Sequence, residues 1–495
     1  MCRLELKYTR VSKVPPNLGK LKNLKVVMTS FDVGHGRELG IQRLGELNLD
    51  GSLSIAELQN IENSRDALEA DLKNKALLVK LTLRWERNEN SIDSKKEEDV
   101  IENLQPSKNL KELLIIGYGG KQFPNWLLEN SLWNMSLELH ECESCQCLPP
   151  LGVLPFLKAL KIRKLDGIVR IDADFHGNNS SSFKSLETLE FSDMSEWEKW
   201  ECQAVAGAFQ HLRQFCIRNC PKLKGDLPKQ LFPLEKLQIK NCKELEASAP
   251  KALDLELREC GKLQLDWATM KSLTMEASLV ETVGSDTLEY LSVSGDCVSL
   301  WPFTLDLFPR LSTLILCRFD NLGMISQYLI HNHLVRLEII SCHKLESLPL
   351  NMHVLLPSLK SLSIEYCPRL ESFPDGGLPS NLESLTIAGC SLKGALGDCS
   401  SFPDEGLLPP SLTSLSIHNC PNLEKLDYKG LYQLLSLKTL ALWDCPNLQG
   451  LPEEGLPKSI SRFEINNCPL LKQHCEKEGG EDWEKIAHIE TLEIN

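Results

Sequence analysis

The chain has 495 residues, 42% of them hydrophobic and 25% charged, and a net charge of -14. Those proportions suit a folded chain and argue against wholesale disorder. The excess of carboxylates argues against nucleic acid or an anionic membrane as partner, since both need Lys and Arg gathered on one face. No run approaches the ~20 apolar residues of a spanning helix. The opening MCRLELKYTR is charged throughout, so no export signal is expected, and the 19 cysteines are expected as free thiols in the cytosol or nucleus.

In chain order, Leu4-x-Leu6 and Leu21-x-x-Leu24-x-Val26 come first, with strand-like spacing and no polar cap before them. A repeat array that starts inside a repeat is expected to be a fragment of something longer. Leu44, Leu47 and Leu49 follow. A helix is then expected over Ser64 to Asn74, with Ser64 as its cap and Ala67, Leu68 and Leu72 on one face. A strand is expected at Leu78, Leu81 and Leu83. The charged stretch from Asn88 to Gln105 reads as a solvated loop and a short outer helix.

From Leu110 onward the pattern becomes regular. LKSLSIEYCPRL, from Leu359 to Leu370, shows the unit: L-x-x-L-x-I-x-x-C-x-x-L. The step of two from Leu362 to Ile364 is a strand period. Further copies run Leu110-Leu113-Ile115, Leu157-Leu160-Ile162, Leu186-Leu189-Phe191, Leu212-Phe215-Ile217 and Leu234-Leu237-Ile239, then Leu255-Leu257, Leu288-Leu291-Val293, Leu311-Leu314-Leu316 and Leu334-Leu337-Ile339. Past the model unit come Leu382-Leu385-Ile387, Leu412-Leu415-Ile417, Leu437-Leu440-Leu442 and Ile460-Phe463-Ile465. Most intervals lie near about 23 residues, within the ~20–29 of leucine-rich repeats. One such strand has no partner for its apolar face, but stacked copies bury a continuous core. A flexible insertion is expected at His176 to Ser182. Trp197 and Trp200 are expected over the sheet edge rather than on a ligand. Pro and Gly in the return segments, as in Leu451-Pro452-Glu453-Glu454-Gly455, predict turns and 3₁₀ pieces there. The tail is expected to hold a polar turn, a short helix around Asp482 to Ala487 and a last strand at Ile489-x-x-Leu492-x-Ile494.

The fold class is therefore α/β, a leucine-rich-repeat solenoid: an irregular horseshoe with a parallel inner sheet, a convex side of loops and 3₁₀ turns, and few short helices. Three regions are expected: 1–109, less regular repeats with the charged insertion; 110–471, regular repeats; and 472–495, a C-terminal cap.

Phosphate-loop, H-E-x-x-H, G-x-S-x-G and dinucleotide motifs are absent from the sequence, so no enzyme and no cofactor are expected. Cys220, Cys242, Cys260, Cys342, Cys367, Cys390, Cys420, Cys445 and Cys468 share one repeat position and read as small buried hydrophobes. Disulfides between neighbouring copies are the rival reading. Cys142-x-x-Cys145-x-Cys147 has metal-like spacing, but a thiolate zinc site needs four ligands, His140 lies on the same segment, and Cys142 sits at the ladder position. No metal is expected. Protein binding is, through the x positions around each Leu-x-Ile pair. Arg163, Ser192, Arg218, Lys240 and Arg258 occupy the position after the pair, as a strip either fanned into solvent or held for an acidic partner. Glu365, Tyr366, His418 and Trp443 are the other candidate contacts, the aromatics as interface anchors.

The recurrent L-x-x-L-x-I-x-x-C-P-x-L, the M-x-x-W-x-x-W-E run before Cys202 and the tail CEKEGGEDWEKIAHI together resemble the leucine-rich-repeat region of plant disease resistance proteins of the coiled-coil, nucleotide-binding class, of RPP13-like type. LELKYTRVSKVPPNLGKLKNL resembles the start of that region. The resemblance implies a non-enzymatic recognition domain of an intracellular immune receptor. Its partners would be a pathogen effector or a guarded host protein, and the receptor's own nucleotide-binding module, which is absent here with the coiled coil. A ubiquitin-ligase substrate adaptor would need an F-box-like segment before the repeats, and an extracellular receptor an export signal.

Overall fold

A computed structural model describes residues 3–6, 21, 23–36, 39–86, 93–128, 135–177, 182–201, 208–228, 231, 234–276, 284–295, 303–319, 322–323, 325–326, 328–349, 351–370, 373, 377–390 and 401–495. They fall into two compact units, Met1–Asp266 and Trp267–Asn495. Among the described residues no helix is long and apolar enough to cross a membrane.

In the second unit each repeat supplies one short strand, and each strand pairs in parallel with the next: Ser361–Glu365 with Ser384–Ala388, then Ser414–His418, Thr439–Trp443, Arg462–Asn466 and finally Thr491–Ile494. Register follows from the inward pairs, since Leu362 lies opposite Leu385 and Ile364 opposite Ile387. These side chains are 0–3% exposed. A slip of one residue would turn every Leu outward, so burial itself pins the register. Repeat intervals in this unit vary from 18 residues, Leu273 to Leu291, to 30, Leu385 to Leu415, without disturbing it. The unit's strands begin with Ser272–Glu276, whose Leu273 and Met275 are buried. This copy went unread in the sequence, where Met275 stands in place of the Ile, Leu, Val or Phe of the other copies.

The first unit uses the same device from Glu112–Ile116 through Met135–His140, Leu157–Arg163, Thr188–Ser192, Gln214–Arg218 and Leu234–Cys242 to Ala252–Cys260. Its opening strands pair Leu4 with Val26 and Leu6 with Met28. The inward pair there is thus Val26 and Met28, two residues beyond the expected Leu24 and Val26, and Leu21 is exposed. Residues 7–20, with most of the opening motif, lie outside the described residues.

The helix expected to run to Asn74 is shorter, Ser64–Glu69. Asn63 caps it, its side chain accepting from the Arg65 amide, and Asp71 in the left-handed region separates it from a 3₁₀ turn at Leu72–Asn74. That break leaves Leu68 61% exposed, off the expected apolar face. The outer helix in the charged stretch is Ser94–Glu102, seated by Val100 and Ile101.

On the far side of each sheet the return segments form 3₁₀ turns and two-residue parallel ladders, such as Arg170–Ile171 with Lys199–Trp200 and Ser401–Phe402 with Lys425–Leu426. Around the first of these, His176 and Ser182 are buried, 4% and 0% exposed, so the ends of the expected flexible insertion belong to the core; 178–181 lie outside the described residues. His176 stacks on Trp200 with centroids 6.1 Å apart, and Trp197 packs on Phe191 at 4.8 Å, all within an aromatic cluster that includes Phe183 and Phe209. The two tryptophans are interior, 0% and 4% exposed.

The cysteine ladder has a repeated geometry. Cys367 points its Sγ at the carbonyls of Glu365, 3.4 Å, and of Ile339 on the preceding strand, 3.8 Å. Cys445 and Cys468 do the same with Trp443 and Ile417, and with Asn466 and Leu442. The thiol is a weak donor stitching one strand end to its neighbour. Burial pushes the Cys390 thiol up to about 12, whereas hydrogen bonds from the neighbouring ladder thiols hold Cys242 and Cys420 below the ordinary value. Cys142 makes the ladder contact to the His140 carbonyl at 3.5 Å. The tail differs from its reading in one respect: a helix, Pro469–Cys475, precedes the turn. The short helix Trp483–Ile486 and the strand Thr491–Ile494 are in place. Gly480 is required in that turn, since a Cβ would lie 2.4 Å from the His474 carbonyl oxygen. The neighbouring Asp482, 4% exposed, accepts from the Leu451 amide at 2.8 Å and pairs with Lys485 at 2.7 Å.

Candidate protein-binding faces

Alternation puts the residues flanking each inward pair on the open face of the sheet. In the first unit the position after the pair runs Arg163, Ser192, Arg218, Lys240, Arg258 in register on successive strands. The expected strip exists, but it is neither fanned into solvent nor unpaired. The position between the paired apolar residues carries, in register, Glu138, Lys161, Glu190, Cys216, Gln238 and Glu256. Arg163 reaches Glu190 at 3.0 Å and Glu138 at 3.6 Å. Arg218 donates to Gln238 Oε1 at 2.6 Å, and Gln238 donates on to Glu256 Oε2 at 2.7 Å. Lys240 and Arg258 share Glu256 Oε1 at 2.8 and 3.0 Å. Desolvation pushes the Glu256 carboxyl up, but the hydrogen bond and charge of Lys240, the Gln238 amide and Arg258 outweigh it and hold it below its ordinary value. Cys216 sits among these groups, its thiol pushed up to about 11 by burial.

The second unit's face is chemically different. Its strands read SLSIE, SLTIA, SLSIH and TLALW. The position before the pair is Ser361, Ser384, Ser414, Thr439, and the middle position Ser363, Thr386, Ser416, Ala441. Glu365, Ala388, His418 and Trp443 follow in register at the last position. His418 and Trp443 stack, 4.5 Å between centroids and 16° between planes, and Trp443 remains 37% exposed. Burial holds the His418 imidazole below its ordinary value despite the carboxylates of Glu365, Asp444 and Glu464. Its Nε2 is buried without a hydrogen-bond partner among the described residues.

Tyr366 is not on the strand. It follows it with φ +55°, in the left-handed region, 45% exposed. This residue belongs to a column that the sequence reading missed: Asn219, Asn241, Ser341, Tyr366, Asn419, Asp444 and Asn467 all have positive φ one residue before a ladder cysteine. Asn and Asp tolerate that conformation, and their recurrence one residue before Cys was the available signal. Neighbours in the column link up, with Asn241 donating to Asn219 at 2.6 Å and Asn219 to Asp193 at 2.7 Å. Gly389 holds the place after Tyr366, where a Cβ would meet the tyrosine ring at 2.6 Å. The acidic residues of the first unit's face were also missed, though they stand one step before the aligned apolar residue in Leu-Glu-Phe and Leu-Glu-Leu.

A family model described as R13L1/DRL21 LRRs matches residues 41–165. An RPP13-like disease resistance protein of Arabidopsis thaliana is 30% identical over 383 residues, 73% of this chain and 31% of that protein. The disease resistance protein RGA1 of Solanum bulbocastanum is 36% identical over 180 residues, 36% of this chain and 18% of that protein. The chain thus spans about a third or less of the length of these relatives. Among solved structures, a chain of the TLR13–ssRNA13 complex aligns with TM-score 0.53 at 17% identity, covering 100% of this chain and 74% of that chain, a likeness of fold alone. Fold and repeat together define a leucine-rich-repeat solenoid. Its repeats are similar to the leucine-rich-repeat region of plant disease resistance proteins of the RPP13-like and RGA kind.

Proposed function

We propose that the chain is the non-enzymatic recognition domain of an intracellular plant immune receptor, acting in the cytosol or nucleus. Its open sheet faces bind protein, either a pathogen effector or a host protein altered by one. In a parent receptor the same domain would hold the nucleotide-binding module inactive. The observation that carries this reading is the pairing of a consistently apolar core, in which Leu, Ile or another apolar residue is buried at the inward positions, with outward positions whose chemistry changes from repeat to repeat. Relatives that are disease resistance proteins supply the biological setting.

The test is capture of candidate effectors by the receptor that carries this domain, with and without substitutions on the faces. Arg163→Glu, Arg258→Glu, Glu365→Lys and Trp443→Ser, each checked for unchanged melting, should include at least one that lowers capture tenfold or more. Capture indifferent to all four would overturn the assignment of recognition to these faces.

A further inference from the structure

We propose that the Glu365-to-Trp443 part of the second unit's face is a seat for an extended basic peptide segment, with an arginine laid on the open side of the Trp443 indole and a second basic side chain at Glu365. This rests on, and gives a partner chemistry to, the recognition reading above. One side of the indole is taken by His418, stacked at 4.5 Å, while 37% of the residue stays exposed. A large aromatic side chain at an outward strand position contributes little to the core, and its free side suits a guanidinium, which stacks on indole and is more weakly hydrated than an ammonium.

The electrostatics select the same ligand. Glu365 accepts from Ser363 Oγ at 2.8 Å and Asp444 from Asn467 Nδ2 at 2.6 Å, both neutral donors, and no cation pairs with either among the described residues. Glu464 does have one, Arg462, which it shares with Glu493. The strands from Ser361–Glu365 to Arg462–Asn466 carry Arg462 as their single full cation, against three carboxylates at Glu365, Asp444 and Glu464 around the stack. Such a seat repels phosphate and attracts Arg and Lys, which sets aside nucleic acid and anionic lipid. Between the two ends the last position holds Ala388 and then His418, stacked on the indole, while the middle position beside them is small and uncharged: Ser363, Thr386, Ser416 and Ala441. A backbone can therefore lie along the middle column across the strands.

Register gives the spacing. Glu365 and Trp443 stand three strands apart, roughly 14 Å at ~4.8 Å per strand. His418 fills the side of the indole that faces Glu365, so a guanidinium on the open side lies another ~3.5 Å out, roughly 18 Å from Glu365. An extended chain covers ~3.4 Å per residue with alternate side chains on one side, so the two basic residues are about six apart, as in Arg-x-x-x-x-x-Arg.

The probe is the blocked heptapeptide Arg-Ser-Gly-Ser-Gly-Ser-Arg, titrated into the full chain while the Trp443 indole N–H resonance, assigned by its loss in Trp443→Phe, is followed. A saturable shift is expected. Affinity should fall at least threefold for the same peptide with both arginines replaced by citrulline, and at least threefold for the arginine peptide against Glu365→Gln with Asp444→Asn. Unchanged melting of that double variant shows that the fold is intact. No saturable shift, equal affinity for the citrulline peptide, or equal affinity of the double variant would each overturn the seat. Failure of effector capture leaves this titration standing, whereas failure of the titration with capture intact retires the seat alone.

Discussion

From Arg163 to Arg258 the last position of the first unit's open face is a lattice of opposite charges, with Arg163, Arg218 and Lys240 held by a carboxylate or amide on a neighbouring strand and Arg258 by Glu256 on its own. From Ser361 to Trp443 the second unit's face is hydroxyl and aromatic, with carboxylates that lack a described cation. Beneath both lies the same Leu and Ile core, in the same parallel register. The energetics explain why one fold carries both coatings. Burying a Leu or Ile side chain is worth ~1.5–3 kcal/mol, while a cross-strand pair on the open face contributes roughly 0.2–1 kcal/mol. The core decides the fold and is indifferent to the chemistry above it.

The comparison breaks most sharply at the core. Leu237→Asp and Leu362→Asp should each unfold the unit that holds them, and Leu362→Ala should cost ~2–5 kcal/mol. A thermal melt in which either Asp variant matched the unaltered chain would refute the shared core.

A smaller difference separates the units in acid. His176 is buried against Trp200, and burial lowers its folded value to about 4 from an ordinary 6.5. The unfolded chain takes up the proton first, so this contribution to the first unit is complete above about 6.5, drains as the pH falls from 6.5 to 4, and levels off below. Its full extent is about 3 kcal/mol at ~1.4 kcal/mol per unit. His176→Phe should flatten that slope in melts taken across the range. Glu256, held below its ordinary value, acts in the same direction at lower pH: its contribution is present above the ordinary carboxylate value and lost as the pH falls through the folded one.

Smaller again is Glu256→Gln, which keeps one acceptor oxygen but leaves Lys240 and Arg258 facing each other without the negative charge they share. A loss of ~1–2 kcal/mol is expected at low salt, reduced at 0.5 M because screening weakens the repulsion among the remaining cations. A loss independent of salt would show that these charges fan into solvent after all. The smallest effect lies in the left-handed column. Ser341 has φ +56° without the Asn or Gly preferred there, so Ser341→Asn should raise stability by ~0.5 kcal/mol, read as a small rise in melting temperature.

Much of this was legible in the sequence. Period-two apolar spacing located the strands because burial of Leu362 and Ile364 leaves no other register, and the cysteine ladder followed from one shared position. What escaped depends on neighbours in space. Arg218, Lys240 and Arg258 looked like a cationic strip while only one column was read; the Glu256 that binds two of them lies in the adjacent column. Tyr366 looked like a strand residue until its positive φ placed it at the turn. Asn63, not Ser64, caps the helix, because the chain enters it one residue earlier than the apolar pattern indicates.

Register that survives intervals of 18 to 30 residues has a genetic consequence. Unequal exchange between copies can add or delete a whole repeat and still leave every Leu opposite a Leu. Such an event would shift all outward chemistry beyond the joint by one strand, ~4.8 Å. Recombination can thus generate a new spacing between existing contacts in one step, with no loss of foldability.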